Sequence, residues 1–239
     1  MRGVTASSEK VSSDMNDKVY IIVPSYNEGA ILAETVRALL PLGHEVVVVD
    51  DGSRDDPGES LTGLPVHLLR HAINLGQGAA LQTGMDYAKR HAATAVVHFD
   101  ADGQHDPADI ARFLAALAAG ADVVLGSRFL PGAERQRVPV AKRLLLQGAR
   151  VVNGLFTGMW LSDAHNGFRA LNRRALAAIE LTENRMAHAS EILSLIRKRR
   201  LRLVEIPVTI VYSDYSRQKG QKWYNSLNII VELIMNKLF

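Results

Sequence analysis

The stretch Val96-Val97-His98-Phe99-Asp100-Ala101-Asp102-Gly103-Gln104-His105-Asp106-Pro107 sets an apolar run directly against two carboxylates spaced two residues apart, with a third just ahead of a proline. Residues 95–99 are short and apolar, the pattern of a buried strand. Ligands of open α/β sheets bind beyond the carboxyl ends of the strands. Residues i and i+2 of an extended chain point the same way, so Asp100 and Asp102 are expected to converge on one ligand. Neighbouring carboxylates repel, and a divalent cation relieves that. Hard oxygen ligands with open positions suit Mg²⁺ or Mn²⁺ carrying a diphosphate. Asp and Gly are also ordinary turn residues, so this stretch alone leaves a plain turn open. A calcium loop is excluded, because the sixth position is His105 rather than Gly and the twelfth is Ala111 rather than Glu.

Working outward, residues 19–24 (VYIIVP) read as a first strand, 30–40 as a helix, and 44–49 as a second strand running into DDGS. Residues 66–69 form a third strand, and NLGQG opens a helix reaching about residue 91. Pro107 suits the first turn of the next helix, where its missing N–H costs nothing. That helix stops near Gly120, and a fifth strand follows over 122–125. Apolar strands alternating with helices predict an α/β fold with a mostly parallel central sheet flanked by helices on both faces.

Beyond residue 128 the pattern changes. LPGAERQRVP (130–139) reads as a loop, 141–156 as an amphipathic helix, and SDAHNGFRAL (162–171) as a turn plus a strand. A helix ends in Arg197-Lys198-Arg199-Arg200. Pro207 places the strand over 203–211 at a sheet edge. Residues 212–222 form a basic loop and 223–239 an amphipathic helix. Residues 1–17 are polar and Ser-rich and are expected to be a disordered leader. The domain is therefore expected over 18–222.

The chain has 239 residues, 47% of them hydrophobic, enough for one substantial core. It has no cysteine, which excludes disulfides, thiolate catalysis and zinc–thiolate sites. A net charge of +3 is not the footprint of a nucleic-acid binder. No stretch reaches the roughly 20 apolar residues of a spanning helix. The first strand-to-helix turn, PSYNEG, lacks the dinucleotide-binding glycine pattern, and no P-loop is present.

In order along the chain stand VPSYNE, VVDDGS, NLGQGAALQTGM, FDADGQHDP and GSRF, followed by DAHNGFRALNR and VEIPVTIVYSDYS. This set resembles family 2 glycosyltransferases of the GT-A fold. Within them it is most similar to the polyprenyl-phosphate branch related to dolichol-phosphate mannose synthases. The resemblance implies inverting transfer of a sugar from a nucleotide-sugar donor to a polyprenyl phosphate, with Mg²⁺ or Mn²⁺ as cofactor. It leaves two alternatives: extension of a saccharide on a hydroxyl acceptor, and a non-catalytic nucleotide- or membrane-binding module.

By the same resemblance, Pro24, Tyr26, Glu28 and Asp51 hold the nucleoside, while Asp50 is structural. Asp100 with Ala101 faces the ribose or sugar, and Asp102 with Gln104 holds the metal. Arg128 and Arg169 are candidates for phosphate or sugar contacts, and Glu191 for lining the sugar pocket. Lys219 matches a diphosphate-clamping lysine, although Ser213 stands where that loop usually has an arginine, leaving Arg217 as a candidate substitute. A lipid phosphate is already anionic and needs no general base. A sugar hydroxyl needs one, with Asp163 or Glu191 as candidates. His188 could touch the acceptor, but it, like His98, His105 and His165, reads more simply as a packed or exposed bystander. A polyprenyl acceptor implies peripheral attachment at the cytoplasmic face of a membrane. The terminal helix would meet either lipid or a small membrane protein partner.

Overall fold

The computed structural model describes residues 18–132, 154, 158–163 and 166–209. The expected leader, most of the loop after residue 128, nearly all of the helix over 141–156, the basic loop with Lys219, and the terminal helix lie outside the described residues.

The described chain builds a seven-stranded sheet in the order β3-β2-β1-β4-β6-β5-β7. β1 (Val19–Ser25) is an interior strand, with β2 (Glu45–Asp50) parallel on one side and β4 (Ala95–His98) parallel on the other. β3 (His67–Arg70) extends the sheet beyond β2, and β7 (Leu203–Pro207) pairs in parallel with β5 (Val123–Ser127) at the other edge. Pro207 thus sits on an edge strand, where its missing N–H breaks no ladder.

The sheet is not wholly parallel. β6 (Arg169–Asn172) runs antiparallel between β4 and β5, with His98 opposite Arg169 and Leu125 opposite Arg169. This reversal matters for function. It brings the beginning of β6, and the NGF segment before it, to the edge where the parallel strands end.

Side chains alternate along each strand, so the sheet divides its core in two. Ile21, Val23, Val46, Val48, Val97 and Val124 face α1 (Gly29–Leu39) and α4 (Ile110–Ala118) through Leu32, Val36, Leu39, Ile110 and Phe113. Tyr20, Ile22, Val47, Val96, Val123 and Leu171 face α3 (Gln77–Arg90), α5 (Arg173–Ala178) and α6 (His188–Lys198).

Two Asp-Pro pairs start short helical turns by one device. Asp56 accepts a hydrogen bond from the Gly58 N–H at 2.9 Å ahead of α2 (Pro57–Ser60), and Asp106 accepts one from Ala108 at 2.9 Å ahead of a 3₁₀ turn over Pro107–Asp109. The third carboxylate of the FDADGQHDP run is therefore a helix cap.

α3 lies close on β1 because Gly84 has no side chain: a Cβ there would collide with Ile22 Cγ2. Gly84→Val is expected to cost about 2–3 kcal/mol through overpacking, read as a lowered thermal midpoint.

Candidate active site

The site forms where β1, β2 and β4 end and β6 begins. After β1, Asn27 takes a left-handed conformation (φ 54°), accepts from the Arg54 N–H at 2.8 Å, and donates its own N–H to Ser53 Oγ at 2.9 Å. Gly29 N–H reaches Asp55 Oδ2 at 2.8 Å. The loops after β1 and β2 therefore brace each other. They leave Tyr26 exposed and Glu28 half-buried beside them, with Pro24 buried in β1 opposite Val49.

Asp50 is 1% exposed; it accepts from Ser53 N at 2.9 Å and from Arg70 Nε at 3.2 Å. Asp51 is 3% exposed and saturated. Oδ1 accepts from His71 Nδ1 at 2.8 Å and Leu75 N at 2.9 Å; Oδ2 accepts from Asn74 Nδ2 at 2.9 Å and Gly76 N at 2.7 Å. Asp51 thereby organises the loop between β3 and α3.

β4 stops at His98, and residues 101–103 form a turn with Gly103 at φ 69°. Asp100 and Asp102 thus meet through a turn rather than through the pleat of an extended strand. Ala101, buried between them, accepts at its carbonyl from Thr35 Oγ1 at 3.0 Å. Gln104 folds back on Asp102, donating through its backbone N–H to Oδ1 at 3.0 Å and through Nε2 to Oδ2 at 2.7 Å.

The two carboxylates differ electrostatically. Burial, then the charge of Asp100, pushes Asp102 up to about 6; Glu28 adds to the rise, and the Gln104 N–H and His105 oppose it. For Asp100, burial is the largest influence and acts upward. The hydrogen bond and charge of His105, with Arg169 and His188, outweigh it and hold the carboxyl below the usual range. Asp100 accepts from Gln77 Nε2 at 3.0 Å and from His105 Nε2 at 3.1 Å, and Gly167 closes against it.

Beneath Asp100 lies a polar floor on the α3–α6 side of the sheet. Arg169 is 3% exposed, donates through Nε to the Asn166 carbonyl at 3.1 Å, and leaves one terminal nitrogen unpartnered. Burial brings it down to about 10, so it stays charged at neutral pH. Burial, then the charge of Arg169, brings His98 down to about 3 and His188 down to about 4, so both are neutral. These two histidines are packed beneath the site, and His105 touches Asp100 directly. The sequence signal was a His at position 98 within an otherwise continuous apolar run.

Arg128, following β5, forms a fork on buried Asp163, with Nε at 2.6 Å and one terminal nitrogen at 2.8 Å. The segment carrying Asp163 is itself pinned by Glu205 of β7, which accepts from Ser162 N at 2.9 Å, Ser162 Oγ at 2.7 Å and Asp163 N at 3.2 Å. Glu191, in the first turn of α6, accepts from Thr182 N at 3.0 Å, Thr182 Oγ1 at 2.5 Å and Glu183 N at 3.0 Å. Glu191→Ala is expected to free these donors and speed amide exchange at Thr182 and Glu183 by roughly tenfold, equivalent to about 1.4 kcal/mol of local opening. Unchanged exchange at both amides would contradict this capping role.

Among the described residues no group of three or more His, Cys, Asp and Glu side chains is placed to hold a metal ion. The donor set nevertheless fits a hard cation that completes its shell elsewhere. Asp102 carries unrelieved repulsion from Asp100, and a half-turn of the Gln104 amide presents an oxygen in place of its nitrogen.

An edge lined by paired carboxylates, on a mostly parallel sheet with helices on both faces, is the GT-A arrangement. The chain belongs to glycosyl transferase family 2, whose family model matches residues 20–179. It is 30% identical to the UDP-N-acetylglucosamine–dolichyl-phosphate N-acetylglucosaminyltransferase of Methanococcus voltae, over 94% of this chain and 98% of that one. It is also 30% identical to the undecaprenyl-phosphate mannosyltransferase of Micrococcus luteus, over 84% and 87% of the two chains. In fold it is similar to glucosyl-3-phosphoglycerate synthase from Mycobacterium tuberculosis in complex with Mn²⁺ and UDP-glucose. That likeness has a TM-score of 0.66 at 17% identity and covers 92% of this chain and 77% of that one.

Proposed function

We propose that this glycosyltransferase moves a sugar from a nucleoside-diphosphate sugar to a polyprenyl phosphate, with inversion and with Mg²⁺ or Mn²⁺. The observation that carries the acceptor reading is the state of the candidate bases. Asp163 is locked in a fork with Arg128, and Glu191 is saturated by the 182–183 backbone and the Thr182 hydroxyl. A hydroxyl acceptor needs a free base; a phosphate acceptor, already anionic, does not. The two relatives described above, whose names specify dolichyl-phosphate and undecaprenyl-phosphate, support the same reading.

In this reading Tyr26 offers a ring face to the base, with Pro24 and Glu28 beside it, and the Asp51-held loop forms the far wall. Asp102 and Gln104 hold the cation, which when bound supplies positive charge against the leaving diphosphate. Asp100 and Ala101 face the ribose or sugar, and Arg169 stands beneath as buried positive charge. Arg128 is available to a phosphate only by leaving Asp163, and Lys219 remains a candidate clamp. Peripheral attachment to the cytoplasmic face, through lipid or a membrane protein, belongs to the same proposal. No helix among the described residues is long and apolar enough to cross a membrane.

The test is a panel of nucleotide sugars with Mg²⁺ or Mn²⁺, offered undecaprenyl phosphate in one arm and free saccharides in the other. Chelator-sensitive formation of a lipid-phosphate sugar of inverted anomeric configuration is expected. Transfer to saccharides alone, or transfer indifferent to chelator, would overturn the proposal.

A further inference from the structure

The NLGQG run at the start of α3 joins two strand ends that do not pair with each other. β2, leading to Asp51, and β4, leading to Asp100, lie on opposite sides of β1. Asn74 Nδ2 and the N–H groups of Leu75 and Gly76 all donate to the Asp51 carboxylate, at 2.9, 2.9 and 2.7 Å. The next side chain, Gln77, donates to Asp100 Oδ1 at 3.0 Å. An ionised carboxylate only accepts, so the amide nitrogen must face it. The connection is held in place from behind. Gly76 and Gly78 lie flush against the backbone of Glu183 and Asn184, where no Cβ fits, and the Asn184 carbonyl accepts from Ala79 N at 3.1 Å. The pattern Gly-Gln-Gly thus reads as two close approaches flanking one directed donor.

We propose that Gln77 is a positioning residue, fixing the Asp100 carboxylate, from an anchor on Asp51, in the orientation that lets Asp102 and a bound diphosphate share one cation. His105 holds the other oxygen of Asp100 from within the turn, so Gln77 supplies the restraint from outside the motif. The inference rests on the reading of the Asp100–Asp102 turn as the cation and diphosphate site.

The test is Mn²⁺ binding, followed by electron paramagnetic resonance on the full chain with UDP, GDP, CDP, ADP or dTDP. Gln77→Met keeps the length of the side chain and removes the donor. Gln77→Asn keeps the amide and falls one methylene short of Asp100. Both are expected to weaken Mn²⁺ binding about tenfold, the scale of lost outer-shell support, with melting temperatures unchanged. Wild-type affinity in both variants would overturn the role of Gln77 and leave the cation site standing. A loss of affinity that tracks a fall in melting temperature would make Gln77 a general brace and overturn it too. A wild-type chain that takes up no Mn²⁺ with any of these nucleotides would remove the cation reading, and this inference with it.

Discussion

Asp102→Asn is expected to lower turnover by roughly 10²–10³-fold, the scale of losing a principal electrostatic contact to the leaving group, while the fold is kept or strengthened. The stability half follows from linkage. The carboxyl of Asp102 is raised from 3.8 to about 6 in the folded chain, so the folded state binds its proton more tightly than the unfolded state does. Folding stability from this group is therefore gained as pH falls from 7 through 6 toward 4. Above pH 6 the ionised group is a net cost. Asparagine removes that cost, and the Gln104 amide can turn to meet it. In chelator at pH 7 the variant should melt at or above the wild-type temperature, and the decline in melting temperature between pH 5 and 7 should become shallower. Lost activity accompanied by a lower melting temperature would make Asp102 a structural group; retained metal-dependent turnover would remove it from the site.

Asp51→Asn should act in the opposite way, on the fold first. Four donors converge on this buried carboxylate. An amide in its place turns one acceptor into a donor facing Asn74 Nδ2 or a backbone N–H. Leaving buried hydrogen-bonding groups mismatched costs about 3 kcal/mol, or about 6–12 °C in a chain of this size. Differential scanning calorimetry without ligand checks this directly. An unchanged melting temperature combined with lost nucleotide affinity would return Asp51 to direct contact with base or ribose.

Much of this architecture was legible in the sequence because its signals are local. Short apolar runs over 19–24, 44–49 and 95–99, Pro107 in the first turn of a helix, and an edge strand carrying Pro207 need only neighbouring residues to be read. The family motifs added the order of the site along the chain. The antiparallel insertion of β6 was not legible, because strand direction depends on which neighbours claim an edge rather than on the strand's own composition. That insertion carries Arg169 to the carboxylate edge.

Nor did the sequence show how differently Asp51 and Asp102 are surrounded. Both are acidic residues in a motif, yet one is saturated by four donors brought in by the following loop and the other is left in repulsion with its neighbour. Hydrogen-bond saturation, burial and charge proximity are properties of groups distant in the chain. Residue types in order determined which side chains reach the site edge. Only the tertiary arrangement decided that Asp51, Asp163 and Glu191 are already occupied by donors of the chain itself.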